Sequence, residues 1–357
     1  MADVLVSIVI VNYNAREYIR ECLDSLINCN YKNIEIIVVD HGSVDGSLEL
    51  LHSLGKSDTR LKIIENNNNI GLSIGRNQGF RASRGKYVAF LDNDTVVDRF
   101  WLDKSIPLFE GDPVLGACQC KLLIRSEEGY LDCVGEYLGS LGFLVHAVNS
   151  GSEVDRGQFD NIKEILSPKG AGMVLRRAVL EKIGGFDEDY FIYLDETDTC
   201  WRIWLQGYKI IFIPGSIIYH RSGTTEIVLP GRIGYLVKFH GTKNYIMTLF
   251  KNLEAENLLK IMPVHLSIWA GLFFYFLFKG RFVSCKWIIK AVFWNILHLN
   301  STIKKRVRIQ RGRKVKDSDI FPFIFRKDSL RLRIKSFFTP SLNTGHAVGW
   351  NKNDKRK

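Results

Sequence analysis

An α/β fold, with a mainly parallel sheet flanked by helices and a helical region appended at its carboxyl end, is what this 357-residue sequence predicts. Three observations predict it. Short β-branched runs alternate with stretches whose apolar residues recur at helical spacing, the pattern of a parallel sheet wrapped by helices. Clusters of Asn and Asp stand directly after those runs, where an open α/β sheet collects its ligands. Past residue 230 the alternation stops, and Ile261 to Phe278 runs eighteen residues without a charge between Lys260 and Lys279, at the lower limit for spanning a bilayer.

Val6 to Val11, Ile34 to Asp40, Leu61 to Glu65 and Tyr87 to Leu91 read as strands, being short, apolar and rich in Val and Ile. Glu17 to Leu26, Ser47 to Leu54 and Leu72 to Ala82 read as helices, with Ser47 and Ser73 near their starts. The first half is therefore Rossmann-like, and its strand-end clusters are Asn12 to Asn14, Asp40, Asn66 to Asn69 and Asp92 to Asp94. From Gly116 to Leu166, glycines and isolated hydrophobics leave two readings open: irregular strands, or a region that faces a substrate. Order returns at Lys169 to Leu175, followed by a helix around Arg177 to Ile183. A Gly-Gly-Phe turn, a helix near Glu196 to Leu205 and a strand at Lys209 to Ile213 follow. In the appended region Pro263 and His265 shorten the apolar run, and Lys286 and Lys290 interrupt the next helical stretch, Phe282 to Leu299. An interfacial pair or short hairpin fits this better than two clean spans. Positive charge at both ends of the apolar run returns both ends to the cytoplasm.

The net charge of +11 is unevenly held. Residues 300–357 carry 17 Lys and Arg against 4 Asp and Glu, and the first 299 residues carry 32 against 34. A nearly neutral body with a basic tail argues against a general nucleic-acid binder and for an anionic membrane surface as the tail's partner. Seven cysteines without a CxxC pair read as reduced thiols, not a disulfide framework or zinc site. The six-residue run Val6 to Val11 is too short for a signal-peptide core, so the expectation is a chain kept on the cytoplasmic side.

The sharpest chemical signal is Leu91-Asp92-Asn93-Asp94, where two carboxylates projecting from one strand end can share a divalent cation. Such an ion neutralises the charge that develops on a diphosphate leaving group. No GxGxxG follows the first strand, which speaks against a dinucleotide-dependent oxidoreductase.

Further motifs follow in order: Ser7-Ile8-Val9-Ile10-Val11-Asn12-Tyr13-Asn14, Val38-Val39-Asp40-His41-Gly42-Ser43-Val44-Asp45-Gly46-Ser47, and Asn69-Ile70-Gly71-Leu72 with Gly75-Arg76-Asn77-Gln78-Gly79. In the second half stand Gly170-Ala171-Gly172-Met173, Gly184-Gly185-Phe186-Asp187-Glu188, Asp195-Glu196-Thr197-Asp198, Arg202, Gly207-Tyr208 and His220 after Pro214-Gly215. From roughly residue 5 to 225 this set resembles the family 2 glycosyltransferases, which have the GT-A fold. The resemblance implies an inverting transfer from a nucleotide-sugar donor. Asn12, Asp40, Arg76 and Asp92 then serve the donor, and Asp92, Asp94 and His220 hold Mn²⁺ or Mg²⁺. Glu196 is the acceptor-activating base, with Asp195 second, because most members read Glu-Asp where this chain reads Asp195-Glu196. His41 stands where the family usually has Asn and receives no catalytic role. Arg202 and Arg221 either offset diphosphate charge or pair with the acidic cluster.

A processive synthase would carry QxxRW, and Trp201-Arg202-Ile203-Trp204 lacks its Gln and spacing. The expected arrangement is a catalytic domain over 1–230, a hydrophobic membrane-associated region over 231–300 and a basic tail over 301–357. It sits peripherally, re-entrantly or by a short hairpin on the cytoplasmic side of the cell membrane. Related sequences with a similar hydrophobic extension imply a lipid-linked or cell-surface glycan as acceptor, and rhamnosyl-type transfer is the expectation for the sugar. The alternative is a catalytically inactive nucleotide-sugar-binding membrane scaffold, favoured by the reversed Asp195-Glu196 pair.

Overall fold

The computed structural model describes residues 4–221 and 236–327. The expected boundary at 230 and the end of the basic tail lie outside the described residues.

The amino-terminal half alternates as its pattern requires: β1 (Val6–Asn12), α1 (Arg16–Ile27), β2 (Ile34–Asp40), α2 (Ser47–Ser57), β3 (Leu61–Glu65), α3 (Leu72–Ala82), β4 (Tyr87–Asp92), β5 (Thr95–Val97) and α4 (Trp101–Gly111). Then come β6 (Leu115–Ile124), β7 (Leu131–Cys133), β8 (Glu136–Gly139), β9 (Leu144–His146), β10 (Lys163–Glu164), β11 (Gly172–Arg176), α5 (Arg177–Ile183), α6 (Asp195–Leu205) and β12 (Lys209–His220).

The main sheet runs β10-β12-β6-β11-β4-β1-β2-β3, with β5 paired to β12 and β7 to β6. Strands β4, β1, β2 and β3 are parallel, β6 and β12 are parallel, and β11 lies antiparallel between β4 and β6. Because β1 and β2 are buried on both faces, their sequences are nearly continuous Val and Ile rather than alternating. Register does the rest: Asn12 pairs with Asp40, Val11 with Asp92 and Leu91 with Gly172, so four polar or glycine-rich strand ends meet at one edge.

The stretch that the sequence left open contains β6, with every residue buried. Its Gln119 and Lys121 hide the strand from a hydropathy reading, and both have partners. Gln119 donates to the Gly172 carbonyl at 3.1 Å, and Lys121 reaches Asp155 and Asp160 at 2.7 Å each. β12 also runs farther than its apolar core suggests. Its register shifts between Ile213 and Ile217, so the Pro214-Gly215 pair becomes an irregularity inside one strand and the ladder continues to His220.

The carboxyl-terminal region begins with a π-helical turn, Leu236–Gly241, and continues as α7 (Thr242–Asn252), α8 (Ala255–Phe278), α9 (Phe282–Leu297), α10 (Leu299–Gly312) and α11 (Asp317–Ile324). A final short strand, β13 (Phe325–Arg326), completes a small sheet with β8 and β9. Helix α8 is long and apolar enough to cross a membrane, and α9 with α10 qualifies as a second candidate bent by 65°. One stripe of α8, Ile261, His265, Trp269, Leu272 and Phe276, is buried. That stripe docks on the β8–β9 hairpin: His265 Nδ1 lies 3.0 Å from the Leu141 carbonyl and its ring 4.3 Å from that of Phe143. The opposite side leaves Leu259, Val264, Leu266, Phe274 and Phe278 exposed, and α9 adds Phe282, Ile289, Phe293 and Ile296.

Helix α10 and the residue that follows it turn part of the basic charge inward. Arg306, Gln310 and Arg313 donate to the carbonyls of Phe250, Lys251, Asn252 and Leu253. These are the acceptors that the end of α7 leaves without intrahelical partners. Lys304, Arg308 and Arg311 remain on the exposed side.

Candidate active site

Two groups of carboxylates face each other across one arginine. The first is delivered by strands. Asp92 closes β4 and Asp94 follows in the turn to β5. β5 pairs with β12 so that Thr95 faces His220. The ladder thereby brings ligand atoms of Asp92, Asp94 and His220 within 4.8 Å of one another. His220 Nε2 lies 3.4 Å from Asp94 and 4.0 Å from Asp92. Two carboxylates and an imidazole, gathered by the β4–β5 turn and the end of β12, fit a divalent cation such as Mn²⁺.

The other imidazole nitrogen is occupied by Asp132 of β7, with Nδ1 2.7 Å from its Oδ2. Asp132 is held in turn by Lys169 at 2.8 Å and by Ser150. Burial works against charge on Asp132, but Lys169 and His220 outweigh it and keep its carboxyl well below the ordinary range. Burial likewise opposes charge on His220, yet Asp94 and Asp132 carry its imidazolium up to about 10. A carboxylate behind a ligating histidine fixes which nitrogen faces the ion. Sequence reasoning missed Asp132 and Lys169. The one available signal was a charge flanked by Leu131 and Cys133, since a buried carboxylate needs a partner.

The second group sits at the start of α6. Asp195 and Glu196 are both buried, and Asp195 Oδ1 and Glu196 Oε2 accept no hydrogen bond from the described residues. Burial and the adjacent Asp195 push the Glu196 carboxyl well above its ordinary value, against the pull of Arg76. Arg76, on α3, joins the two groups: its guanidinium is 2.5 Å from Asp195, 3.6 Å from Glu196 and 3.7 Å from Asp92. Gly170 makes this possible, because a Cβ there would stand 1.9 Å from Arg76 Nη2. Desolvation disfavours the buried guanidinium, but Asp195, Glu196 and Asp92 hold it charged.

Asn12 and Asp40 lie in a third network at the ends of β1 and β2. Asp40 is wholly buried and accepts from Asn12 at 2.8 Å, from Ser43 Oγ at 2.7 Å and from the backbone N–H groups of Gly42 and Ser43. Asn93 donates to Asn12 at 2.9 Å, which ties this network to the Asp92 turn. The structure therefore shows Asp40 organising the turn after β2. Arg202 pairs with Asp198 at 2.9 Å and donates to the Ile183 and Gly185 carbonyls, whereas Arg221 lies over the Tyr18 ring, near Glu21.

The sheet is GT-A-like, with Asp92 and Asp94 at the end of its fourth strand. The family profile "Glycosyl transferase family 2" matches residues 7–184. Glycosyltransferase GlyG of Streptococcus pneumoniae is 34% identical over 233 residues, covering 63% of this chain and 73% of GlyG. The chain belongs to glycosyl transferase family 2. Several other relatives match over shorter stretches, the chain spanning 33%, 17% and 27% of the length of three of them. Among solved structures, the mannosyltransferase PcManGT of Pyrobaculum calidifontis, in complex with GDP-Man and Mn²⁺, shares the fold with a TM-score of 0.51 and 18% identity over 82% of this chain and 86% of that one. Residues 1–349 of Staphylococcus aureus TarS, in complex with UDP-GlcNAc, give 0.53 and 18% over 73% and 72%.

Proposed function

We propose that this chain is a metal-dependent, inverting glycosyltransferase that acts at the cytoplasmic face of a membrane on a lipid-linked or cell-surface glycan acceptor. The observation that carries the reading is the facing pair of acidic groups: Asp92, Asp94 and His220 within reach of one ion, and Asp195 with Glu196 across Arg76. Mn²⁺ or Mg²⁺ held by Asp92, Asp94 and His220 would neutralise the charge developing on the diphosphate.

The protein's own residues supply the rest. The turn built by Asn12 and Asp40 receives the nucleoside. A base contact by the Asp40 carboxylate requires release of one of its internal donors. Glu196 takes the acceptor hydroxyl's proton while that oxygen attacks the anomeric carbon from the face opposite the diphosphate. The glycosidic C–O bond forms as the bond to the diphosphate breaks, so a single displacement inverts the centre. A carboxyl raised by burial is the stronger base for this task. Arg76 keeps both acidic groups in place without reaching solvent.

The exposed apolar sides of α8 and α9, with Lys304, Arg308 and Arg311 on the adjoining helix, support seating on an anionic bilayer. The test is nucleoside-diphosphate release by the membrane-reconstituted protein across a panel of nucleotide sugars and lipid-linked acceptors, with Mn²⁺ supplied and then chelated. A nucleoside-diphosphate rhamnose goes first in the panel. Metal-dependent release with an inverted product is the expected result. Donor binding without turnover across every pair would favour the inactive scaffold.

A further inference from the structure

The segment just before Asp195 is under backbone strain. Among the described residues four non-glycines have positive φ, and three of them, Phe191 (64°), Tyr193 (67°) and Leu194 (60°), lie in this segment. Phe191 has ψ −58°, and Ile192 N donates to the Tyr190 carbonyl at 2.8 Å. That is the positive-φ γ-turn, which is rare and strained. Each such residue costs about 1 kcal/mol or more and persists only where its surroundings enforce it. Leu194 stands at the position preceding the first turn of α6 and offers no side-chain cap.

The enforcement comes from α7. The Asn244 amide reaches the carbonyls of Tyr190 at 3.2 Å, Ile192 at 2.8 Å and Tyr193 at 2.7 Å. Three carbonyl oxygens around one amide end fix its orientation, since only the NH₂ can face them. Lys243 donates to the Asp189 carbonyl, and Thr248 shares a 2.7 Å hydrogen bond with the Tyr190 hydroxyl. Lys251 lies buried between Asp187 and Asp198. On its other side the turn meets the donor half: the Phe191 carbonyl accepts from Leu72 N at 2.6 Å, and a Cβ on Gly71 would meet the Phe191 ring at 2.5 Å.

We infer that Asn244 is a positioning residue: by holding the strained 190–194 turn against the start of α3, it sets where Asp195 and Glu196 stand relative to the donor. This rests on the reading of Glu196 as the acceptor base. It makes α7, and the α10 side chains that cap it, part of the machinery of transfer.

The test uses the full chain in lipid vesicles, with Asn244→Asp, which keeps shape but turns donors into an acceptor facing three carbonyls. Three readouts are taken: hydrogen exchange of the 189–198 amides, affinity for UDP and GDP with MnCl₂, and kcat for the donor and acceptor pair found in the panel. The expected result is exchange at 189–198 faster by more than about tenfold with β1 and β4 unchanged, and nucleotide affinity within about threefold of wild type. The expected kcat is lower on the order of a hundredfold, as for a small misplacement of a reacting group.

Exchange and kcat both near wild type would overturn the inference, as would a uniform loss of protection and nucleotide binding throughout the chain. Should Asn244→Asp fail to fold, Thr248→Val removes only the Tyr190 bond and is expected to show the same pattern at about tenfold; no change there overturns the inference. Glu196→Gln runs alongside. If it stays active the base assignment fails, whereas an inactive Glu196→Gln beside an active Asn244→Asp sinks the clamp alone.

Discussion

The two acidic groups of the site are held by opposite means. Asp92 closes β4, Asp94 lies in the turn to β5 and His220 closes β12, and the pairing of β5 with β12 brings them together. Asp195 and Glu196 follow three residues of left-handed backbone and depend on a helix beyond residue 240 for their placement. On the proposed roles, the ion site rests on the sheet and on Asp132 behind His220, and the base site rests on a brace from outside its own loop. On the inference drawn above, the helical extension braces the 190–194 turn from within as well as offering an apolar face outside.

Several variants would break or sharpen that contrast. Asp94→Ala should have the largest effect, a kcat loss on the order of 10³-fold with folding intact, because it removes a ligand from a ladder that does not otherwise need it. Steady-state turnover with a circular dichroism spectrum checks both halves of the statement. Glu196→Gln should lower kcat by about 10² to 10⁴-fold and leave nucleotide affinity unchanged. The same residue sets the pH dependence. In its proposed role Glu196 acts deprotonated, and burial raises its carboxyl, so wild-type kcat should fall on acidification at a pH well above 4.5, the ordinary value for a glutamate. A pH profile of kcat with saturating donor reads that limb.

Smaller effects come from residues one step removed. Asp132→Asn leaves His220 without its carboxylate partner and should weaken Mn²⁺ binding by about 10 to 100-fold, with turnover restored by added metal. The smallest effect should come from Glu35, at the far end of β1 and β2 from the site. Burial would raise its carboxyl, but Lys62, Ser7 and the Arg84 backbone lower it to about 2. Since the folded-state value is depressed, this contribution is complete above about pH 4.5 and is lost as pH falls toward 2. Glu35→Gln should cost about 1 kcal/mol at pH 6 and progressively less below 4.5, measured by urea unfolding, with no change in kcat.

These contrasts also explain what could be read from the chain beforehand. The parallel block and the acidic triplet were legible because β1, β2 and β4 are near-continuous apolar runs ending in Asn or Asp, a local signal. His220 and Glu196 were placed by resemblance. What joins them could not be seen: the β5–β12 pairing that delivers His220 spans more than a hundred residues, and the partners of Asp132 lie at 150, 169 and 220. β6 escaped because Gln119 and Lys121 are polar residues in a fully buried strand, tolerated through side-chain partners that no sequence window contains. Arg76 was expected at the donor, and its pairing with Asp195 depends on the Cβ that Gly170 lacks. The basic tail read as a surface-seeking charge run; Lys305, Arg306 and Arg313 turn out to have internal partners.

The most direct test of the account is Mn²⁺ binding in the presence of nucleoside diphosphate, followed by electron paramagnetic resonance alongside transfer assays, in wild type, Asp94→Ala and Glu196→Gln. The account predicts that Glu196→Gln binds the ion as wild type does yet transfers at least about a hundredfold more slowly, and that Asp94→Ala is impaired in both. Ion binding and transfer both intact in Asp94→Ala would contradict it.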